Sequence, residues 1–464
     1  MTDATIFSPA EVGAGAGSGL DPDALRALLR RVTRSVDGGH LEALRERVEL
    51  LRYGAGRVVY QHAEDRPVVR IRLVRGGREG WSIVESADSN VIAAAADRIA
   101  VELDSLPTGE PAPMPGVWPF QAAPGAAAGS TVGAAAAERA AALRRLSTAI
   151  GDPEIAIGGS IATRVADAVV VNTRGLCVVE RRTRAAIQLV ASGPGRSSSV
   201  RRIDPDWAAI DPEELAQAAM ATLPGTTRGD LPAGPVRALL GPQAVAAFAA
   251  VLAHIGLGAV PPGGAPGPLD PGDEGSPILA AEVSFVDDAT DPAGLPASFD
   301  PAGWPKRRVT LIENGRVVGR VHDVVTAAIA GVEPTGHTAP PGWRFGRGPA
   351  PMHVLVGPGS AGPTDLEAAV GDGIAIQRVD YVRVVQPRQG LVTGTTRDAT
   401  VRIRSGRRSE ALPQFRFTLR LADLFAAVEA VGRDRERGEA PFIDSITAPA
   451  MVVSAFPIDS EARR

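Results

Sequence analysis

The side chains of this chain best suited to chemistry are six histidines, one cysteine and a few acidic residues. A hydrolytic zinc centre places two imidazoles one helical turn apart with a glutamate beside the first, so that ligands and general base share a face. His254, in the apolar stretch VLAHIGLGAV (251–260), is the histidine carried by a strongly helical segment. One turn away on either side stand Ala250 and Gly258, and residues 242–262 contain no carboxylate. That helix cannot make the site. His40 and His62 belong to the first half of the chain, while His322, His337 and His353 are isolated from one another in sequence. A three-histidine site would need the fold to gather them.

Other signals are weaker. VGPGSAGP (356–363) has the look of a phosphate or nucleophile loop, but it lacks the Gly-Lys-Ser/Thr ending of the first, and Pro358 stands where the second needs glycine. A strand-to-helix turn capped by Thr364 accounts for it. PTGHT (334–338) follows a helix with a glycine-containing turn that either presents backbone to a ligand or only ends the helix. Asp287 and Asp288 suit a metal or acid–base pair, and suit equally a solvated turn after a strand. Cys177 is alone, so neither an intrachain disulfide nor a thiolate-rich zinc site can form, and its strand-like surroundings suit a small buried hydrophobe.

The elements that must position these residues fall into two blocks, as a chain of 464 residues leads one to expect. A tail over 1–20 reads as disordered, 21–233 as an N-terminal α+β domain with a Pro/Gly/Ala-rich loop at 107–131, and 234–464 as a β-rich domain. In the first, DPDALRALLRRV, with Asp21 as cap, and HLEALRERVELL space Leu and Val at three and four residues, which predicts two helices. RVVYQHAED and RPVVRIRLVRGGREGWSIVES alternate as strands around a Gly76-Gly77 turn. Helical spacing returns at NVIAAAADRIAVELDSL, AAAAERAAALRRLSTAI and 212–223, with strands ADAVVVNTRG and LCVVERRTRAAIQLVAS before the last. The second block opens with strand PVRALLG and helix 243–256, passes through PPGGAPGPLDPGDEGSP as a mobile loop, and continues as short strands. Those strands suggest a closed or nearly closed, barrel-like sheet covered by helices at 323–330, 364–370 and 421–431. The predicted fold class is α+β.

Lys306 is the only lysine, and net charge is −4. No stretch combines clustered arginine with aromatics, which argues against a nucleic-acid partner. The first residues carry no secretory signal pattern, and no apolar run of about 18 residues suits a membrane span, so a cytoplasmic location is expected.

In chain order, ALLGP, the apolar helix, VDDATDP, SFDPAGWPKRRVTLIENGRVVGRVHD, AAIAGVEPTGHT, MHVLVGPGSAGPTDLEAAVGDGIAI and LRLADLFAAVEAVGRD resemble the landmarks of the TldD/PmbA family from about residue 235 to the end. The first half resembles it more loosely, through IRLVRGGREGW and VVVNTRGLCVVERRTRAAIQLVAS. In metallopeptidase members, the resemblance implies His-Glu-x-x-x-His on the helix after the LGP strand, with a cysteine of the second domain completing the zinc site. With His254 as second histidine, the first histidine and the glutamate fall on Ala249 and Ala250; with His254 as first, Ile255 and Ala259 stand where Glu and His belong. Neither register works, and Cys177 lies in the wrong half.

The pattern is similar to the TldE/PmbA branch. It implies a subunit without catalytic or metal-ligating residues, paired with a TldD-like zinc metallopeptidase, zinc residing in the partner, and enclosing a chamber for proteolysis or maturation of unfolded peptides. Its degenerate helix is marked by Ala249, Ala250 and His254. The turns at Thr335, Gly336 and His337 and at Gly357, Pro358 and Gly359 are the candidate peptide contacts. Two alternatives stay open: a homo-oligomeric peptide-binding protein, including a homodimer of the lone chain, and a self-sufficient hydrolase using His337, His353 and Asp287 or Asp288.

Overall fold

The structure is a computed structural model that describes residues 20–232, 234–269, 272, 274–339, 348–438 and 442–462. The tail expected over 1–20 lies, apart from Leu20, outside the described residues. Helix α1 (Pro22–Val32) starts as predicted, Asp21 accepting from the backbone N–H of Asp23. The second predicted helix does not form. HLEALRERVELL is part of strand β1 (Gly38–Gly54), paired on one side with β2 (Arg57–Arg75) and on the other with β4 (Ala156–Asn172). Leu, Glu and Arg favour helix when left alone, but a central strand with two ladders and two covered faces overrides that weak local preference.

β3 (Arg78–Val84), β5 (Cys177–Gly193) and β6 (Arg196–Asp204) complete an antiparallel sheet in the order β3-β2-β1-β4-β5-β6. The Gly76-Gly77 turn forms, both glycines at positive φ, as a two-residue hairpin requires. Alternation along the strands gives the sheet two different faces. Leu41, Ala43, Val69, Ile71, Val169 and Val171 pack under α1 and α2 (Ser89–Glu102), while Leu51, Ile161, Ile187 and Leu189 pack under α4 (Ala136–Ile150) and α5 (Pro212–Thr222), which follow a single-turn α3 (Gly129–Gly133). The intervening positions on β1, β4 and β5 carry His40, Glu42, Arg164, Glu180 and Arg182 on the other face, toward the second half of the chain. The 107–131 loop runs along this junction, with Trp118 Nε1 donating to Gly303 O and Ala123 N to Ser298 Oγ.

Among the described residues the second sheet has twelve strands. Its centre is β7 (Val236–Leu240), parallel to β12 (Gly373–Gln386) and antiparallel to β17 (Ser445–Phe456). From β17 it runs through β11 (His353–Val356) and β8 (Phe285–Asp287) to β9 (Val309–Glu313) and β10 (Arg316–Val317). On the other side it runs through β13 (Leu391–Arg404) and β15 (Phe415–Arg420) to β18 (Ser460–Glu461); β14 (Arg407–Ala411) pairs with β13, and β16 (Val428–Gly438) with β17. Among the described residues this path does not close on itself, so the β-rich half is an open sheet with helices on its faces rather than a barrel. Helix α6 (Pro242–Gly256) covers one face through Phe248, Ala249 and Leu252; α8 (Pro363–Val370) covers the other through Leu366 and Val370.

Two local expectations change. The predicted helix 421–431 stops as α9 (Leu421–Ala426), because Val428 begins the ladder with β17. Helix α8 is capped at Gly362, with Asp365 Oδ2 receiving its N–H, rather than by Thr364. The loop after α6 is irregular as expected, yet Leu269 is buried in the core and its carbonyl accepts from Arg320; residues 270, 271 and 273 lie outside the described residues. A seven-residue α7 (Val324–Ala330) precedes the PTGHT turn. No helix among the described residues is long and apolar enough to cross a membrane.

Candidate functional site

Between the charged face of the first sheet and the β8–β11–β17 edge of the second lies a cavity of about 490 Å³. Strand register builds its floor. His353 is opposite Ser445 in the parallel β11–β17 pair, which brings Asp444 alongside it, while Val354 opposite Asp287 places β8 next to them.

Asp287 is fully buried. Its Oδ1 accepts from His337 Nε2 at 2.9 Å, and its Oδ2 accepts from the N–H groups of Met352 at 2.7 Å and His353 at 2.9 Å. The other ring nitrogen, His337 Nδ1, is 2.9 Å from Thr335 Oγ1, whose hydroxyl also bonds the carbonyl (2.9 Å) and N–H (2.7 Å) of His322. Asp287 and Thr335 therefore occupy both nitrogens of the His337 ring. Burial alone would raise the Asp287 carboxyl, but the charge and hydrogen bond of His337 outweigh it and hold the group well below its ordinary range. The pair is a clamp: every strong position on both groups is occupied, so neither is placed to take a proton from a substrate.

Around it stand groups that sequence reading missed. Glu180 accepts from Ser298 N at 2.8 Å and from its hydroxyl; Asp300 accepts from Ala302 and Trp304 N–H groups at 3.0 Å and from Thr338 N at 2.7 Å. Burial raises the carboxyls of Glu180, Asp300 and Glu42, opposed by Arg182, Lys306 and Arg70 respectively. Glu42 bonds Arg70 at 2.6 Å and Glu46 bonds Arg164 at 2.7 Å. Lys306, the sole lysine, lines the same cavity. The available signal was the alternation on β1 and β5, where charged residues recur at the positions between apolar ones; an assignment of β1 to helix hid half of it.

His353 differs from His337. It is 2% exposed, neither ring nitrogen has a hydrogen-bond partner, and its Nε2 is 4.0 Å from Asp444 Oδ2. Burial, with Lys306 adding to it, pushes the imidazole down to about 3, so it is neutral at pH 7.

The predicted site residues separate. Of Thr335, Gly336 and His337 only His337 lines the cavity; Thr335 lies behind it, bonded to the His337 ring, and Gly336, at φ +75°, lies so close to the Pro305 backbone that a Cβ would collide with it. Gly357, Pro358 and Gly359 do not line the cavity; Gly357 N donates to Ser284 O and Gly359 N to Gly432 O, so this turn is tied to neighbouring strands. Asp288 accepts from Thr290 N in its own turn. His62 is half-exposed beside Glu64, and His40 bonds Pro301 O, so the histidines do not gather into one centre.

The zinc site that the resemblance implies for metallopeptidase members does not fit the residues of α6. Ala249 and Ala250 are fully buried in the core, and His254 stacks on Phe442, ring centroids 5.2 Å apart. Among the described residues no three His, Cys, Asp or Glu side chains converge as metal ligands would. Phe442 also lines the cavity, so the end of α6 reaches its wall through one ring. A second cleft of about 1120 Å³, lined by Arg196, Ser197, Asp398 and Arg416, lies between the β5–β6 turn and β13–β15 and contains none of the candidate residues.

Residues 233–460 match the PmbA/TldA metallopeptidase C-terminal domain. No curated protein sequence matches the chain. In structure it is similar to TldE from Thermococcus kodakarensis (TM-score 0.79, 19% identity, covering 94% of this chain and 100% of that one). It is also similar to a candidate modulator of DNA gyrase from Thermotoga maritima (0.77, 17%, 94% and 100%) and to another from Bacteroides thetaiotaomicron (0.72, 12%, 94% and 99%). At these identities the likeness speaks to the fold, and it spans both sheets.

Proposed function

The chain belongs, through its C-terminal half, to the TldD/PmbA family, and from that premise we propose that it is a non-catalytic, TldE-like subunit that pairs with a TldD-like zinc metallopeptidase in the cytoplasm. The complex would cleave or mature unfolded peptides, and this chain would help hold them. One observation carries the reading: the helix on which a family metallopeptidase would carry His-Glu-x-x-x-His has Ala249 and Ala250 buried in the core, and His254 turned onto Phe442. Without imidazoles and a carboxylate on that helix there is neither a metal cradle nor a base for water. The occupied ring of His337 also weighs against a self-sufficient hydrolase built on it. Nothing in the charge balance steers the chain toward DNA, so the gyrase-related description of two similar structures is not carried over.

The test is co-expression with a TldD-like protein encoded beside this chain, reading complex mass, zinc content and cleavage of an unstructured peptide. The expected result is a stoichiometric complex whose activity falls when this chain is omitted, while the chain alone is inert. Activity that survives its omission would overturn the subunit reading, and a stable homo-oligomer that ignores the partner would favour a peptide-binding protein acting alone.

A further inference from the structure

The charges lining the inter-sheet cavity are mostly satisfied from within. Glu42 is bonded to Arg70, Glu46 to Arg164, Glu180 to Ser298, and Asp300 to backbone N–H groups. Asp444 is different. Its side chain is 48% exposed, and its nearest ion-pairing neighbour is His353 Nε2 at 4.0 Å, too far for a hydrogen bond. His353 is itself buried with both ring nitrogens unbonded, an expensive condition for an imidazole unless something else meets it.

A single small group placed between them, at ordinary hydrogen-bond length from each, would satisfy both. With the ring proton on Nδ1, Nε2 presents a lone pair, and the group must donate twice, once to the carboxylate and once to the ring, which excludes a carbonyl, a carboxylate or a single hydroxyl proton. Arg182, Lys306 and Arg164 act on Asp444 through space and favour its ionised form, but none is bonded to it, and an ionised carboxylate at the wall of a partly desolvated cavity favours a charged donor in direct contact over a neutral one. The cavity's apolar lining is formed by Phe442, Ile443, Leu295 and Phe299, and Arg182 and Lys306 also line it. The ligand that fits is an ammonium on an apolar body, and the cavity's volume of about 490 Å³ suits a few residues of extended chain rather than a folded domain.

We propose that His353 and Asp444 form a subsite for a primary ammonium, the free N-terminus of an extended peptide, whose first side chains lie against Phe442 and Leu295. This rests on the reading of the chain as a peptide-holding subunit and adds to it which end of the peptide is held. No bond is made or broken. The α-amino group donates to Asp444 and to His353, and it is protonated at pH 7 because its ordinary pKa is about 7.7–8.0 and the adjacent carboxylate favours the charged form.

The experiment is calorimetric titration of the full chain at pH 7 with Phe-Ala-Ala-Gly-Ala amide, with its N-acetylated twin, with phenethylamine and with Zn²⁺ alone. The free-amine peptide should bind about tenfold or more tightly than the acetylated one, and Asp444→Asn and His353→Gln should each erase that preference. The Asn variant alters an accessible side chain and keeps its shape, so it serves where the His353 variant fails to fold. Equal binding of the two peptides would overturn the ammonium subsite and leave peptide holding intact. Binding of neither would overturn both. Phenethylamine binding as well as the peptide would replace the peptide with a small amine, and Zn²⁺ uptake abolished in Asp444→Asn would replace the subsite with a metal site.

Discussion

His353 and His40 are the side chains whose protonation the fold opposes most clearly. Burial depresses both, His353 to about 3 and His40 to about 4, with Lys306 and Arg72 respectively adding to the effect. Below the unfolded value of about 6.5 the unfolded chain therefore binds protons that the native one refuses. The stability these neutral rings contribute is complete above pH 6.5 and is lost as pH falls toward 4. At pH 5 the loss is about 2 kcal/mol for each histidine. Urea unfolding at pH 7 and pH 5 should register this fall, and His353→Gln, which has nothing to titrate, should show a smaller one. An unchanged fall in that variant would mean that His353 is not held neutral. The same residue scale separates two histidines that sequence treats alike: His337 is held through both ring nitrogens between Asp287 and Thr335, whereas His353 has neither nitrogen bonded.

At the scale of elements, the turn at Thr335, Gly336 and His337 is held by contacts remote in sequence. Gly336 combines a positive φ with backbone contact at Pro305, so Gly336→Ala meets both a conformational and a steric penalty. We expect a loss of about 2 kcal/mol or more in urea unfolding, together with a shift of the His337 ring resonances as its bond to Asp287 is pulled out of line. Wild-type stability in that variant would show that the turn moves freely. Elements were legible in sequence where local signals and tertiary demands agree: α1 with its Asp21 cap, the Gly76-Gly77 hairpin, α6, and most strands of the second half. They were misread where the two conflict. HLEALRERVELL has helical spacing and helix-forming residues, yet it is the strand that both neighbours in the first sheet need. Similarly, α9 gives way to β16 as soon as β17 is there to pair with it.

At the scale of the whole molecule, the candidate site exists only because two sheets face each other, and a few long side chains hold that arrangement. Arg437 on β16 donates to the carbonyls of Pro292 (2.7 Å), Ala293 (3.1 Å) and Gly294 (2.9 Å), and it is paired with Asp204 at the end of β6. Ser197 and Arg378 meet on Asp398 at the other end of the interface. Arg437→Met keeps the packing length and removes five donors. It should cost about 2 kcal/mol or more, and raise hydrogen exchange selectively in residues 292–295 and in β6. Uniform exchange changes across both sheets would indicate general destabilisation and argue against a local clamp. If the inter-sheet cavity holds peptide, the same variant should weaken peptide binding without touching a lining residue.

The sequence by itself determined the α+β class, the β-rich second half, the absence of a workable zinc motif around His254, and the resemblance that led to the family. Each of these depends on residue order and short-range spacing. Tertiary structure alone decided that the second sheet stays open, that the turns at 335–337 and 357–359 part company, and that Glu180, Asp300, Lys306, His353 and Asp444 meet in one cavity. Those outcomes depend on strand register and on which faces of two sheets oppose one another. Such contacts join residues hundreds of positions apart, and no local pattern in the chain encodes them.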